Sequence, residues 1–162
     1  MFAKAGFLVL AVRFRGDTLN PDGTPSAEGS YVDNSDDLVA AASYLRSHGA
    51  KSLAAIGASL GGDAVGDADS RSAAGTFDRI VLLSSSGGET PGKLKGRKLF
   101  LVARDDASAS GPRLPEISRS YARVPEPKKM VILNGSAHAQ FIFHTDQGQL
   151  LLNTILEFLE EP

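Results

Sequence analysis

The stretch "GASLG" at 57–61 places one serine between two glycines, directly after a short apolar run. A surface turn does not need this arrangement, whereas a serine nucleophile on a sharp strand-to-helix turn does, because side chains at the flanking positions would clash. The hydroxyl of Ser59 can then project above the turn, and the backbone N–H of Leu60 points toward a developing oxyanion. The pattern predicts that Ser59 is a nucleophile.

Acidic and imidazole side chains follow two later apolar runs. The segment "ARDDAS" comes after the run at 98–103 and contains Asp105 and Asp106. The segment "NGSAHAQF" comes after the run at 128–133 and contains His138. Serine, aspartate and histidine therefore occur in that order, each beyond the end of a different predicted strand. These are the residue types of a nucleophile, an orienting acid and a base.

Five short apolar runs are predicted to be the strands that position these residues. Each run is nearly continuous rather than alternating, which is typical of strands covered on both faces. Since the carboxyl ends of parallel strands meet at one edge of a sheet, the three candidate residues should converge there. The predicted strands are 7–12, 52–57, 79–84, 98–103 and 128–133.

Helical patterns separate most of these runs, at 35–48, after Ser59, near 113–123 and at 146–160. The alternation predicts an α/β fold, a three-layer sandwich with a mostly parallel central sheet of about five strands and helices on both faces. We expect one domain over 1–162 and a long polar loop over 16–34.

With these residues the chain resembles the α/β-hydrolase superfamily, especially its small lidless esterases and dienelactone-hydrolase-like members. The resemblance covers nearly the whole chain. "GASLGGDA" is similar to the nucleophile elbow of that family, "LFLVARDD" to its acid strand and "GSAHAQFIF" to its histidine loop. It implies that Ser59 is the nucleophile, His138 the base and Asp106 the acid. Asp105 stays open as an alternative acid, although the family offset favours Asp106.

The resemblance also implies a gap at the front of the chain. Members of the family have about three further strands upstream, and the loop after the third lends a second N–H to the oxyanion hole. The strand at 7–12 would then pair directly with that at 52–57, or a second copy would cover the open edge. We expect a homodimer on that ground.

Composition excludes several classes of function. The chain has 17 Lys and Arg, 19 Asp and Glu, and no cysteine. The net charge of −2 and the lack of a basic stripe argue against a nucleic-acid or anionic-membrane surface. No phosphate loop, dinucleotide fingerprint or metal-ligand spacing occurs, so we expect no cofactor and no metal. No signal peptide is evident, which favours the cytoplasm without establishing it.

Each candidate residue also has a plainer interpretation. Ser59 could belong to a tight turn, Asp106 could cap a helix and His138 could be an ordinary loop histidine. His144 is a reserve base. Arg13 and Arg15 could contact a substrate or form an internal ion pair. The three serines after the run at 79–84 could line the pocket, namely Ser84, Ser85 and Ser86.

The sequence therefore predicts a serine esterase acting on small carboxylic esters or lactones, slow because part of the oxyanion hole is missing. Two alternatives stay open. One is a catalytically impaired remnant that acts as a binding or assembly module, and the other is an acyltransferase.

Overall fold

The computed structural model describes residues 1–15 and 34–161, and the helices and strands below lie within them. The polar loop expected at 16–34 lies outside these residues apart from Asn34. Short 3₁₀ helices occur at Phe2–Ala5, Pro91–Lys93 and Ala139–His144. The α-helices are α1 (Ser35–Ser47), α2 (Leu60–Arg71), α3 (Arg113–Arg123) and α4 (Gly148–Glu160). The strands are β1 (Ala54–Ala58), β2 (Arg79–Leu83), β3 (Arg97–Ala103), β4 (Ala107–Ser108), β5 (Gly111–Pro112) and β6 (Lys128–Leu133).

The central sheet has four parallel strands in the order β1-β2-β3-β6, while β4 and β5 form a small antiparallel hairpin. Parallel neighbours require crossover connections, and helices supply most of them. The last residues of the four strands lie together at the carboxyl end of the sheet, namely Ala58, Leu83, Ala103 and Leu133. The loops that leave these four residues are therefore brought together.

Apolar side chains leave the strands toward both faces of the sheet. Ile80 and Leu82 join a cluster that includes residues of α1, α2 and α3. The alternate residues Val81 and Leu83 join a second cluster with residues of α4. Two buried faces explain why the strand sequences are continuously apolar. The three-layer α/β architecture predicted from the sequence is confirmed.

The prediction of a strand at 7–12 is wrong, and the central sheet has four strands among the described residues. Leu8 and Leu10 are 73% and 42% exposed. The lining of a cavity of about 620 Å³ includes residues 7–10 of this segment together with Ala54 and Ile56 of β1. A strand needs a neighbour for its backbone N–H and C=O groups, and the segment does not reach β1 as a ladder partner. The expected homodimer stays a prediction.

Lys98 is an unusual residue for the interior of this sheet. Its side chain is 1% exposed, and no described atom accepts a hydrogen bond from its Nζ. Burial lowers the pKa of Lys98 below its ordinary value, against the opposing effect of the Asp69 and Glu126 carboxylates. A buried ammonium without a hydrogen-bond partner disfavours the folded state, because the unfolded chain solvates the charge fully.

We therefore expect Lys98→Met to raise the free energy of unfolding at pH 7 by about 1–3 kcal/mol, as replacement of buried charges by apolar side chains often does. Because the native pKa is lowered, the unfolded state binds the proton more tightly. The stability of the parent then rises with pH between the lowered native pKa and about 10.5. Urea denaturation at pH 7 and pH 10 should show the advantage of the variant shrinking as pH rises.

The matched control is Lys129→Met on the neighbouring strand β6. Lys129 is exposed, so its replacement should change stability by less than about 0.5 kcal/mol. A Lys98→Met protein that is less stable than the parent would show that the amine is well solvated or paired in the folded state.

Candidate active site

Ser59 lies at the turn between β1 and α2 in a backbone conformation that residues other than glycine rarely adopt, with φ 53° and ψ −124°. Its N–H donates to the carbonyl of Leu83 at the end of β2 (2.9 Å), while its own carbonyl accepts from Gly62 and Asp63 (2.8 and 3.1 Å). Such a conformation costs about 1–3 kcal/mol and persists where surrounding contacts fix it. Those contacts hold the hydroxyl above the edge of the sheet.

The glycines around Ser59 have different roles. A Cβ added to Gly57 would lie 2.2 Å from the carbonyl oxygen of Gly61, so that position must be glycine. A Cβ on Gly61 would meet nothing within 4 Å, and the crowded position is Gly62 instead, 2.4 Å from Cβ of Ser85. The expected steric need is therefore confirmed at Gly57 and wrong at Gly61. Gly62 is thus one of the small residues that let α2 approach the loop after β2.

Leu60 is the first residue of α2, and its side chain is 70% exposed. The helix bonds to the Ser59 carbonyl begin at Gly62, which leaves the Leu60 N–H within the first turn, where amides have no intrahelical acceptor. A helix N-terminus favours negative charge. The location agrees with an oxyanion donor, and that role stays a prediction.

Asp106 follows β3 in a tight turn in which its N–H donates to the carbonyl of Ala103 (3.2 Å) and its carbonyl accepts from Arg113 (2.8 Å). Its side chain is fully buried. Asp105 is exposed, and its N–H donates to the carbonyl of Gly135 (2.9 Å). Of the two candidate acids, the structure brings Asp106 to the imidazole of His138.

His138 lies between the other two candidate residues. Its Nδ1 is 3.0 and 2.9 Å from the two carboxylate oxygens of Asp106, and its Nε2 is 2.9 Å from Oγ of Ser59. An ionised carboxylate only accepts, so Nδ1 carries the proton and Nε2 is free to accept from the serine hydroxyl. The imidazole is 31% exposed while the carboxylate behind it is fully buried. This arrangement can take a proton from Ser59 and hold it against a buried negative charge.

The other histidines lie elsewhere. His144 is exposed at the end of the 3₁₀ helix that follows His138. Nδ1 of His48 is 2.8 Å from the carbonyl of Tyr44 in the last turn of α1. Neither belongs to the cluster around Ser59.

Three of the remaining polar candidates, Arg15, Ser84 and Ser85, are engaged within the fold, while the substrate contact considered for Arg13 and the pocket lining considered for Ser86 stay predictions. Arg15 forms an ion pair with Asp37 at the start of α1 (2.6 Å), which matches the internal ion pair weighed for it. Ser84 and Ser85 are buried (0% and 2% exposed), so the expectation that they line a pocket is wrong. Ser85 donates instead to Asp63 of α2 (2.8 Å). The contact of Ser85 was not predictable from the sequence, because it depends on how α2 packs on the end of β2.

Within residues 1–15 and 34–161, no group of three or more histidine, aspartate or glutamate side chains could hold a metal ion. None of the helices in that part of the chain is long and apolar enough to span a bilayer.

Comparison with solved structures identifies the fold. A protein named a dienelactone hydrolase, from Klebsiella pneumoniae, superposes with a TM-score of 0.61 at 16% identity, over 79% of this chain and 61% of that one. An esterase from Pyrococcus furiosus superposes with a TM-score of 0.61 at 12% identity, over 84% of this chain and 65% of that one. The chain thus spans less than two thirds of either protein. No protein-family model and no curated protein sequence matches it significantly.

The protein has the α/β-hydrolase fold, with a four-stranded parallel sheet and helices on both faces. The resemblance inferred from the sequence is confirmed at the level of the fold. At such low identity the likeness leaves chemistry to be argued from the side chains themselves.

Proposed function

We propose that the protein is a serine hydrolase that cleaves small carboxylic esters or lactones through an acyl-enzyme intermediate. The observation that carries the proposal is the continuous hydrogen-bonded path from Oγ of Ser59 through the imidazole of His138 to the buried carboxylate of Asp106. Residues 59, 106 and 138 come from three separate loops, and each contact is within 3.0 Å.

Acylation begins when Oγ of Ser59 attacks the ester carbonyl carbon while Nε2 of His138 takes the hydroxyl proton. The new C–Oγ bond converts the carbonyl into a tetrahedral oxyanion. Collapse of that intermediate breaks the bond to the alkoxy oxygen, and the imidazolium returns the proton to the leaving alcohol. In a lactone the leaving hydroxyl stays attached to the acyl chain.

Deacylation repeats these steps with water as the nucleophile. His138 takes a proton from water as the water oxygen attacks the acyl carbon, and the proton passes to Oγ as the C–Oγ bond breaks. The carboxylic acid leaves and Ser59 is regenerated. Asp106 holds the Nδ1 tautomer throughout and stabilises the transient imidazolium, because its carboxylate is fully buried beside it.

The N–H of Leu60 is the oxyanion donor in this proposal. The family resemblance implies a second donor from a loop upstream of the residues that match it here. A site that works with the Leu60 N–H alone should be slower by about 10²–10³ in kcat, and we propose slow turnover for the 162-residue chain. The partial exposure of His138 (31%) and the high exposure of Leu60 (70%) agree with an open site that a small ester can reach.

Covalent labelling with a fluorophosphonate tests the proposal directly. An activated Ser59 should displace fluoride and form a stable phosphonyl adduct, seen on the intact protein as an added mass equal to that of the probe less HF. Digestion and tandem mass spectrometry should locate the adduct on Ser59. Labelling needs only the nucleophile and its base, so it reports them even when ester turnover is slow.

Two variants make the labelling result specific. Ser59→Ala should not be labelled. Ser72→Ala removes a hydroxyl at the far end of α2 that donates to the carbonyl of Ala68, and it should be labelled like the parent. A parent protein that never reacts would favour the impaired-remnant alternative. Product esters that appear when alcohols are added would instead favour acyl transfer.

A further inference from the structure

Ser84, directly after β2, is a buried polar residue for which the proposed chemistry has no use. It is 0% exposed, and its φ of 53° lies in the left-handed region. Glycine adopts this region at little cost, whereas a residue with a Cβ is strained there. A serine kept at such a position indicates that its side chain contributes something that glycine cannot.

The hydroxyl of Ser84 contacts the histidine loop. Its Oγ accepts a hydrogen bond from the N–H of Ala139 at 3.0 Å, and its own N–H donates to the carbonyl of Leu101 on β3 at 2.7 Å. Ser84 is thereby fixed to the middle of the sheet and holds the residue that immediately follows His138. Its chain neighbour Leu83 accepts the N–H of Ser59 at 2.9 Å. Two consecutive residues at the end of β2 thus hold the backbones of both the nucleophile and the base.

Ala139 needs this external acceptor. It is the first residue of the 3₁₀ helix Ala139–His144, where an N–H has no partner within the helix, and it is fully buried. Its φ of 51° is again in the left-handed region. The next backbone hydrogen bond along the chain lies within the loop itself, from the N–H of Phe141 to the carbonyl of His138 (3.0 Å). The hydrogen bond from Ala139 to Ser84 therefore fixes the backbone on the carboxyl side of His138.

We propose that Ser84 is a positioning residue, whose hydroxyl holds the Ala139 N–H and so sets the distance between Nε2 of His138 and Oγ of Ser59. The inference rests on the proposed function for its kinetic consequence. Without the hydroxyl, the buried N–H of Ala139 must find another acceptor or move, and the imidazole moves with it. Displacements of about 1 Å at a reacting group can cost about 10²-fold in rate.

The test compares Ser84→Ala with Ser85→Ala. Both variants lose one buried hydroxyl, but that of Ser84 accepts from the N–H of Ala139 whereas that of Ser85 donates to Asp63 of α2. Both should lower Tm. Only Ser84→Ala should lower kcat for p-nitrophenyl acetate, by about 10- to 100-fold, with KM close to that of the parent. Equal losses of kcat in the two variants would overturn the inference.

A second comparison separates the hydroxyl from backbone strain. Ser84→Gly removes the hydroxyl and also relieves the positive φ, so it should be more stable than Ser84→Ala and equally slow. Restoration of the parent kcat in Ser84→Gly would overturn the inference, because this variant also lacks the hydroxyl.

A spectroscopic measurement tests positioning without any turnover. The proton shared by Nδ1 of His138 and Asp106 should give a downfield imidazole resonance in ¹⁵N-histidine-labelled protein, assigned by its absence in His138→Gln. Ser84→Ala should broaden or shift this signal, and Ser85→Ala should leave it in place. The parent could show the signal and yet be neither labelled by the fluorophosphonate nor active, and the proposed function would then fail. The effect of Ser84→Ala on the signal would still decide the positioning inference. An unchanged signal in Ser84→Ala would overturn the positioning inference and leave the proposed function standing.

Discussion

Replacing Ser59 with alanine should reduce hydrolysis of p-nitrophenyl acetate to the spontaneous background. Loss of the nucleophile costs about 10⁶ in kcat in a serine hydrolase with a complete oxyanion hole. An oxyanion hole that lacks one donor lowers kcat of the parent by about 10²–10³. The ratio of the parent rate to spontaneous hydrolysis is then smaller by the same factor. We therefore expect a loss of at least about 10³-fold, with KM undefined in the variant. Initial rates over a series of ester concentrations, corrected for buffer hydrolysis, measure it.

The control for this experiment is again Ser72→Ala, because it removes a serine hydroxyl from the same helix at the end distant from the site. Its rate should equal that of the parent. Circular dichroism should show that Ser59→Ala is folded. The substitution does not change the backbone strain at position 59, because alanine and serine share the same steric restriction at φ 53°. A change in strain therefore cannot account for the difference in rate. An alanine variant as fast as the parent would exclude Ser59 as the nucleophile.

The convergence of Ser59, Asp106 and His138 was predictable because each residue follows a strand whose sequence is strongly apolar. The predicted strand at 128–133 agrees with β6, and the helix predicted near 113–123 agrees with α3. Local patterns therefore placed the three loops at one edge of the sheet, and parallel pairing brought them together. The choice between Asp105 and Asp106 could only be weighed, because it depends on which carboxylate a turn directs inward.

The failures have a common physical origin. The apolar run at 7–12 has strand composition, but a strand also requires a partner edge, which no property of the run itself specifies. Ser84 likewise lies in an ordinary serine-rich stretch, and its contact with Ala139 links residues 55 positions apart. Lys98 lies within an apolar strand, where the sequence does not reveal that its Nζ lacks a hydrogen-bond partner among the described residues. Each of these features is set by tertiary packing rather than by local sequence.

Asp106→Asn should lower kcat by roughly 10³-fold or more, toward the loss of about 10⁴-fold that the wrong imidazole tautomer causes in a complete triad. An asparagine amide nitrogen can donate to Nδ1, which favours the proton on Nε2 and leaves His138 unable to accept from Ser59. The asparagine keeps the shape of the buried carboxylate, so the geometry should be preserved. The measurement is kcat between pH 6 and 9, together with the rate of fluorophosphonate labelling.

Asp105→Asn is the matched control because the two residues are adjacent and differ in exposure and partner. Asp105 is exposed, and only Asp106 contacts the imidazole, so Asp105→Asn should keep the parent kcat. The opposite pattern would mean that the turn rearranges in solution and that the acid is Asp105. Equal, small effects in both variants would mean that no carboxylate orients His138, and Ser59 would then have to be activated by the imidazole alone. Only a large, selective effect at Asp106 agrees with a buried charge that holds the tautomer and stabilises the imidazolium.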